Sequence, residues 1–428
     1  MYKLQCSALI LKIGVRRNKV SPDMFGVVLF IVALGSSHAS CIFDCKDEDH
    51  FSVTDYGAKS DGQIDDSQAF LETWDAACTA PIPSSRFIVP PNKTYLLNPI
   101  IFQGPCQPTT IYFIISGRII GPELPSEWNG KDASGWLGFK DVNGLNVDGF
   151  GTVDGRGQGW WDQSCRYHPQ LKQCTTLAPT ALKFMSCNDT NVSNLKLVNS
   201  AQTHLLLREC DSFVVNNVVI ESPANSPNTD GIHIHSSHNV IITNSKFSTG
   251  DDCISIGDRV SNIKIYNVVC GPGHGISIGS LGRRGNYVQV EKIHISDAFF
   301  KGTTNGARIK TWQVGRGYVR DVTFENLMFD SVQNPIIIDQ NYCDVRNTCK
   351  EEETGVEISN VRYKEIYGTS SGEIAVNLNC SYSVPCYEIL MESIELVSST
   401  TPGEEVIADC ANAYGQEFDV SPASCLLN

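Results

Sequence analysis

Three aspartates and a histidine are spaced so that a regular fold could bring them to one place. Asp230 and Asp251 are 21 residues apart, and His274 follows Asp252 by 22 residues. Carboxyl groups that lie close together repel one another, so at least one should keep a proton while its neighbours ionise. Hydrolysis of a glycosidic bond needs both forms, because one protonates the leaving oxygen and the other activates water. The spacing therefore predicts an acid–base site for glycoside hydrolysis.

Two cations follow on one strand-like run. Arg308 and Lys310 are two residues apart, so a strand would point both side chains to the same face. The formal net charge of the chain is −14, so its overall field repels an acidic substrate and local cations would have to hold one. The pair therefore favours a sugar that carries its own carboxylate. The same negative charge argues against nucleic acid as a partner.

Each of these clusters also has an ordinary structural interpretation when it is taken alone. The pair of aspartates could be a solvated turn or a calcium site. The histidine between two glycines could be a tight turn, and the cation pair could be a charged outer face. The clusters would act together only in a fold that stacks them in consecutive coils.

A repeated pattern that starts near residue 190 predicts such a fold. Apolar residues alternate, an Asn or Asp follows, and an apolar pair ends the unit, at intervals of 23 to 30 residues. The markers are Asn194, Asn217, Asn244, Asn267, Asp297 and Asn326. Stacked units of short strands predict an all-β, single-stranded, right-handed parallel β-helix, with each marker amide bonded to the next. Because adjacent coils lie about 4.8 Å apart, residues one coil apart would lie one above the other.

The consecutive aspartates require a local irregularity in this fold. A regular strand would point Asp251 and Asp252 to opposite faces, so both reach one cleft only at a bend, which Gly250 permits. Glycines also flank His274 and let its backbone approach the cleft. If His274 lies one coil from Asp252, we expect its imidazole to donate to a carboxylate there and to help keep Asp251 protonated.

The N-terminal segment has the composition of a targeting signal. An apolar run over residues 25–34, followed by small residues, predicts a signal peptide over 1–39 with cleavage near Ala39. Met24 as the true start, or a signal anchor, are the alternatives. The run is too short for an ordinary membrane span. The signal predicts a secreted chain with no membrane association after cleavage and a single catalytic domain over 40–428.

One helix is expected early in that domain. Asp66 or Ser67 is the predicted N-cap, and the helix should cap the end of the β-helix. Its apolar face is formed by Ala69, Phe70, Trp74 and Ala77.

The 17 cysteines suggest disulfides in a chain with a secretion signal, with scattered buried thiols as the alternative. Close pairs are Cys165/Cys174, Cys343/Cys349, Cys380/Cys386 and Cys410/Cys425. Sequons that allow glycosylation of a secreted chain are at Asn92, Asn188, Asn191 and Asn379.

At the residues of the predicted site the sequence resembles the plant-type polygalacturonases, glycoside hydrolases of the pectin-degrading β-helix group. The motifs are Ser226–Gly231, Gly250–Cys253, Gly273–Gly279 and Arg308–Lys310. The similarity covers most of the chain from Phe51 onward. Residues 340–343 and the terminal segment 410–425 resemble the plant branch.

The resemblance implies a role for each site residue. Asp251 would be the general acid, Asp230 and Asp252 would hold and activate water, and His274 would help set the protonation of the acid. The implied substrate contacts are Arg308 and Lys310, which would bind galacturonate carboxylates, together with Tyr342 and Asn228. The family inverts configuration and uses no metal, so no cofactor is expected. The expected partner is the homogalacturonan of pectin, and the expected state is a monomer.

The resemblance also supports a disulfide between Cys253 and Cys270, which would brace the bend at the aspartates. Ala178 and Ala201 stand where the family often has Arg and Pro, which leaves substrate length and subsite preference open. Alternatives on the same fold are an exo-acting or rhamnogalacturonan hydrolase and a calcium-dependent lyase. An alternative of another class is a catalytically silent, secreted wall-binding protein.

Overall fold

Alternating apolar residues form short strands separated by turns, as the repeat predicts. This computed structural model describes residues 49–128, 132–172, 174–343, 349, 352–400, 405–423 and 425–428. The predicted signal peptide lies outside these residues. The described residues belong to one compact unit over residues 46–428.

Strands dominate the described part of the chain. Its helices are α1 (Ser67–Thr79) and α2 (Gln158–Trp161), with a 3-10 turn at Pro125–Trp128. The strands are β1 (His50–Ser52), β2 (Asp61–Asp65), β3 (Ser84–Val89), β4 (Thr94–Leu96), β5 (Ile100–Gln103), β6 (Thr110–Ile115), β7 (Arg118–Ile120), β8 (Gly135–Lys140), β9 (Leu145–Asp148), β10 (Thr152–Asp154), β11 (Thr180–Met185), β12 (Asn188–Ser193), β13 (Lys196–Val198), β14 (Leu205–Arg208), β15 (Asp211–Asn216), β16 (Val219–Glu221), β17 (Ile232–His235), β18 (His238–Ser248), β19 (Ile254–Ile256), β20 (Val260–Cys270), β21 (Ile276–Leu281), β22 (Tyr287–Lys301), β23 (Asn305–Trp312), β24 (Arg316–Val332), β25 (Asn334–Tyr342), β26 (Glu357–Ser370), β27 (Ile374–Asn379), β28 (Cys386–Ser398), β29 (Ile407–Ala411) and β30 (Ala413–Ser421).

Parallel pairing winds these strands into coils. A typical coil contributes one strand to an eleven-stranded sheet and one or two strands to a nineteen-stranded sheet. In the eleven-stranded sheet, β17, β19 and β21 align Ile232 with Ile254 and Ile254 with Ile276. Because crossovers between parallel strands are right-handed, the fold is the predicted right-handed parallel β-helix.

Apolar side chains stack inside the coils in register. One fully buried column consists of Phe184, Leu207, Ile234, Ile256, Ile278, Ile309 and Ile338. Nearer the N-terminal end, the rings of Phe87 and Phe113 stack with centroids 4.1 Å apart. Each such side chain contributes about 2 kcal/mol on burial. The columns therefore fix the coil spacing on which the site depends.

The predicted column of turn residues is present but interrupted. All six markers have φ between 50° and 53°, the left-handed conformation that Asn tolerates. The side-chain amide of Asn217 donates to Oδ1 of Asn194 at 2.7 Å, and that of Asn267 donates to Asn244 at 2.6 Å. Asn244, however, donates to Asn216 rather than to Asn217. The prediction that each marker bonds the next is therefore wrong at this step, where the neighbouring Asn competes.

Helix α1 begins after Asp66, as predicted, and buries the predicted apolar face. Asp66 makes no side-chain cap bond; its carboxylate instead accepts hydrogen bonds from the N–H groups of Lys59 and Ser60 at 2.6 and 3.0 Å. Trp74 packs on Phe102 with ring centroids 5.3 Å apart. That α1 closes the end of the β-helix stays a prediction. In the described ranges, the helices are too short or too polar to cross a bilayer.

Disulfides join all four cysteine pairs that sequence spacing indicated. The bonds are Cys78–Cys106, Cys165–Cys174, Cys253–Cys270, Cys343–Cys349, Cys380–Cys386 and Cys410–Cys425. The pair Cys78–Cys106, which lies 28 residues apart, was not predicted because no coil spacing indicates it. Cys187 and Cys210 are buried thiols.

The four sequons differ in accessibility. Asn92 is exposed in a turn, so a glycan there would meet no obstacle. The side chains of Asn188 and Asn379 accept hydrogen bonds within the fold, and Asn191 lies partly buried in β12. We therefore expect modification of a secreted chain at Asn92 before the other three.

Candidate active site

Three loops on one side of the coils carry the predicted carboxylates and the histidine. They join the nineteen-stranded sheet to the eleven-stranded sheet: 222–231 with Asp230, 249–253 with Asp251 and Asp252, and 271–275 with His274. Gly250 is required at the bend, because a Cβ there would lie 2.0 Å from the carbonyl oxygen of Ser226. The bend that the two aspartates need is thus built by close loop stacking.

Asp251 is 7% exposed and has four donors around its carboxylate. Its Oδ1 accepts from the backbone N–H of Asp252 at 2.9 Å and lies 3.1 Å from Nδ1 of His274. Its Oδ2 accepts from Nη1 of Arg166 at 3.1 Å and lies 3.5 Å from Nδ2 of Asn228. Asn228 therefore lies beside the proposed acid, where a substrate contact was expected.

Asp252 is 2% exposed and is held by both predicted cations. Nη2 of Arg308 donates to its Oδ1 at 2.6 Å, and Nζ of Lys310 donates to its Oδ2 at 2.9 Å. The hydroxyl of Ser277 donates to the same Oδ1 at 2.9 Å and accepts from Nε of Arg308 at 2.8 Å. The two cations thus neutralise a protein carboxylate in the free chain, which the sequence analysis did not foresee.

Asp230 is linked to the partly buried His233 through the hydroxyl of Ser255. The hydroxyl of Ser255 donates to Oδ2 of Asp230 at 2.7 Å, so Nδ1 of His233, 2.7 Å from the same hydroxyl, must donate to it. Burial lowers the pKa of His233 to about 4, which keeps its imidazole neutral. Sequence reasoning missed both residues. Strand register could have indicated them, because neighbouring strands align His233, Ser255, Ser277 and Arg308.

The free chain favours a proton on Asp230 rather than on Asp251. Burial, and the charges of Asp251 and Asp252, raise the pKa of Asp230 well above its ordinary value. Burial also raises the pKa of Asp251, but the hydrogen bond from His274 and the nearby cations outweigh it and hold that pKa well below the usual range. His274 was expected to donate to a carboxylate and to help keep Asp251 protonated. It does contact a carboxylate, that of Asp251, but in the free chain it lowers the pKa of Asp251, so the second part of the expectation is wrong there. The imidazole contacts Asp251 and stabilises its charge.

Tyr342 lies next to the cation pair. Nζ of Lys310 is 5.6 Å from the centroid of the Tyr342 ring, a cation–π contact. The same ring packs edge-on against Trp312 with centroids 5.4 Å apart. Tyr342 therefore helps to position Lys310, whatever it does for a substrate.

Arg166 is the functional candidate that the sequence analysis missed. It lies in the loop between α2 and β11, next to the disulfide Cys165–Cys174, and 85 residues before Asp251. No coil spacing connects positions so far apart. The only signal in the sequence was a cation beside a short cysteine pair in an acidic chain.

The site also raises the calcium alternative again, because Asp251, Asp252 and His274 present ligand atoms within 4.8 Å of one another. The contacts do not fit a metal ion. Arg308 and Lys310 already bind the oxygens of Asp252, so a divalent ion would face two fixed positive charges. Calcium also prefers six to eight oxygen ligands rather than an imidazole. We assign no metal to this site.

The disulfide Cys253–Cys270 begins one residue after Asp252 and spans 17 residues. Changing both cysteines to Ala should lower the free energy of unfolding by about 3 kcal/mol, because the denatured chain gains loop entropy. Urea denaturation measures the change. The matched control removes Cys380–Cys386, which spans 6 residues far from the aspartates, and should cost less stability while sparing turnover. Equal turnover in the two variants would contradict a bracing role for Cys253–Cys270.

Comparison with known proteins identifies the family of the chain. Residues 78–425 match the family described as Glycosyl hydrolases family 28. The chain is 43% identical over 375 residues to polygalacturonase QRT2 of Arabidopsis thaliana, covering 88% of this chain and 80% of the relative. It is 43% identical over 361 residues to a polygalacturonase of Persea americana, covering 84% and 76%.

A solved structure shares the fold. The endo-xylogalacturonan hydrolase from Aspergillus tubingensis superimposes with a TM-score of 0.70 at 22% identity, over 86% of this chain and all of that one. The family match over most of the chain, together with these plant relatives, shows that the chain belongs to the glycosyl hydrolases family 28 and is a glycosidase.

Proposed function

We propose that the protein is a polygalacturonase that hydrolyses α-1,4 bonds between galacturonate units of pectin. The observation that carries the proposal is that Arg308 and Lys310 adjoin a cluster of three carboxyls on one face of the β-helix. Hydrolysis alone needs no such cations, whereas a substrate that bears a carboxylate on every sugar does. Relatives named polygalacturonases, from Arabidopsis thaliana and Persea americana, support the same substrate class.

The reaction uses one acid and one base. Asp251 gives its proton to the glycosidic oxygen, and the bond between that oxygen and the anomeric carbon breaks with its electron pair on the oxygen. Water bonds to the anomeric carbon from the opposite face, which inverts configuration, and its proton passes to a carboxylate of Asp230 or Asp252. One water molecule is consumed and the carboxyls return to their starting charge by exchange with solvent.

The cation pair can bind substrate without abandoning Asp252. Arg308 uses Nε and Nη2 on Ser277 and Asp252, so the donors on Nη1 can meet a galacturonate carboxylate. The ammonium of Lys310 likewise has more donors than its contact with Asp252 uses. A substrate carboxylate that draws these cations toward it also leaves Asp252 freer to accept a proton from water.

Secretion, a role in the cell wall and a monomeric state are parts of the same proposal. The six disulfides support an oxidising compartment. The segment 1–39 would be a signal peptide, and 40–428 one catalytic domain. The N-terminal sequence of protein recovered from culture medium, and its mass in solution, test these points.

The activity is tested with polygalacturonic acid as substrate. We expect new reducing ends without unsaturated product. The rate should not fall after a chelator has removed divalent ions, because Arg308 and Lys310 occupy the position where a metal ion would bind Asp252. Unsaturated ends, or loss of the rate with the chelator, would favour a lyase. A chain that binds the polymer without cleaving it would be a wall-binding protein. Product sizes over time separate endo from exo action.

A further inference from the structure

One contact of Asp251 opposes the chemistry proposed for it. Asp251 must bring a proton to the leaving oxygen, yet its Oδ2 accepts a hydrogen bond from Nη1 of Arg166 at 3.1 Å. A guanidinium can only donate, and its positive charge opposes a proton on the oxygen that it holds. The contact with Arg166 therefore disfavours a proton on this oxygen.

The other oxygen of Asp251 is not a substitute. Its Oδ1 accepts from the backbone N–H of Asp252 at 2.9 Å, a donor that cannot reverse its role. Nδ1 of His274 lies on the same oxygen at 3.1 Å. Oδ2 has, besides Arg166, only the distant amide of Asn228 at 3.5 Å among the contacts described, so it is the oxygen better able to carry the proton, and it is the one that Arg166 holds.

Arg166 is placed so that it can exchange partners. Its side chain is 44% exposed, whereas that of Asp251 is 11% exposed. Its loop is braced by the disulfide Cys165–Cys174 and by the hydrogen bond from the N–H of Cys165 to the carbonyl oxygen of Thr175, so its long side chain, not its backbone, would make the exchange. Its guanidinium makes a single hydrogen bond with Asp251 and lies over the ring of Tyr167, 5.9 Å from the centroid. A free carboxylate could accept two parallel N–H bonds from it.

We propose that Arg166 is a substrate-sensitive positioning residue: it holds Oδ2 of Asp251 until a uronate carboxylate in the cleft draws the guanidinium away, which frees that oxygen to carry the proton for the leaving group. The inference rests on the proposed function and adds to it a coupling between the charge of the substrate and the protonation of Asp251. A neutral sugar would leave Arg166 on Asp251 and the acid unloaded.

When Arg166 moves from Asp251 to the substrate, the protonation of the base Asp230 changes as well. The charged groups that face Asp251 are Asp230, Asp252, His274, Lys310 and Arg166, with Arg308 behind Asp252. Once Arg166 has withdrawn, Asp251 can take up a proton while Asp230, whose pKa is raised in the free chain, releases one, directly or through water in the cleft. One O–H bond breaks, another forms, and the total charge stays the same. Asp230 is then a carboxylate that can accept a proton from water, so one movement prepares both the acid and the base.

The test compares three variants on galacturonate oligomers, with partly methyl-esterified oligomers as the less charged substrate. Arg166→Gln removes the guanidinium charge, and Arg166→Lys keeps a cation at the position. Lys172→Gln is the matched control, because Lys172 is exposed on the same loop and its loss changes the net charge equally. The pH profiles of kcat/KM and of kcat are measured for each, since the first reports the free enzyme and the second the complex.

In Arg166→Gln we expect the high-pH limb of the kcat/KM profile to shift to higher pH by roughly half to one pH unit. The sign follows because the acid is active when protonated, and loss of the cation lets the apparent pKa of the coupled carboxyls rise. The limb of kcat should stay in place, since Arg166 has already left Asp251 in the complex. Preference for the fully charged oligomer should fall about tenfold, the scale of one charge-assisted hydrogen bond. Arg166→Lys should restore most of both properties.

Three results would overturn the inference. The high-pH limb of kcat/KM could stay in place in Arg166→Gln, it could shift equally in the kcat and kcat/KM profiles, or it could shift by the same amount in Lys172→Gln. Equal movement would mean that Arg166 stays on Asp251 in the complex, and the last result would mean that only the general field of the loop matters. Failure of the proposed function is distinct, because wild-type protein would then release no reducing ends from either oligomer.

Discussion

Asp251→Asn should lower turnover of polygalacturonate on the order of a hundredfold or more, the scale of general acid catalysis. An amide cannot protonate the leaving oxygen, although it keeps the size of the carboxyl. The fold should survive, because Asn can still accept at Oδ1 the bond that the backbone N–H of Asp252 donates. Initial rates with saturating substrate measure the loss, and binding measured separately should change far less.

Two further variants serve as comparisons for the loss of turnover in Asp251→Asn. Asp75→Asn lies on the exposed face of α1 and should leave turnover unchanged. Asp230→Asn mimics the protonated form that burial and two neighbouring charges favour. Because Asp230 becomes the base once its proton has left, this variant should also be inactive; persistent activity would leave Asp252 as the base. Near-normal turnover in Asp251→Asn would show that another group is the acid.

The fold could be predicted from sequence because its determinants repeat. Turn residues such as Asn217 and Asn267 recur at coil length, and alternating apolar residues between them specify short strands. Parallel stacking then follows, since it places the same turn residue in the same position of each coil and buries every unit against its neighbour. The break at Asn244 could not be predicted, because Asn216 and Asn217 are equivalent in sequence and only the backbone geometry selects one of them.

The members of the site were predictable for the same reason, but their pairing was not. Spacing places Asp252 and His274 one coil apart, and it says nothing about which carboxylate the imidazole contacts. Arg308 and Lys310 could be identified as cations on one face, while their ion pairs with Asp252 depend on the bend before β19. Arg166 reaches the site from a loop outside the repeat, so a method based on periodicity could not find it.

The burial of the ion pairs changes what is expected of Lys310. The sequence alone indicated a cation for substrate, whose loss would weaken binding of charged polymer. In the structure Lys310 is 8% exposed and its ammonium lies 2.9 Å from Asp252, which is 2% exposed. Lys310→Met removes the charge and keeps the length, so Asp252 retains only Arg308 and Ser277 as donors from side chains.

We expect Lys310→Met to lower the free energy of unfolding by about 3 kcal/mol, because a buried carboxylate loses one of its two compensating charges. Urea denaturation measures the loss. Lys364→Met is the matched control: Lys364 pairs with Glu325 at 3.0 Å, but the two side chains are 40% and 30% exposed, so solvent screens the pair and its loss should cost far less stability. Adding Asp252→Asn to Lys310→Met removes the stranded charge and should recover much of the stability, at the expense of turnover. Additive losses in the double variant, or equal costs for the two lysines, would show that Lys310 serves the substrate alone and that its pair with Asp252 contributes nothing to the fold.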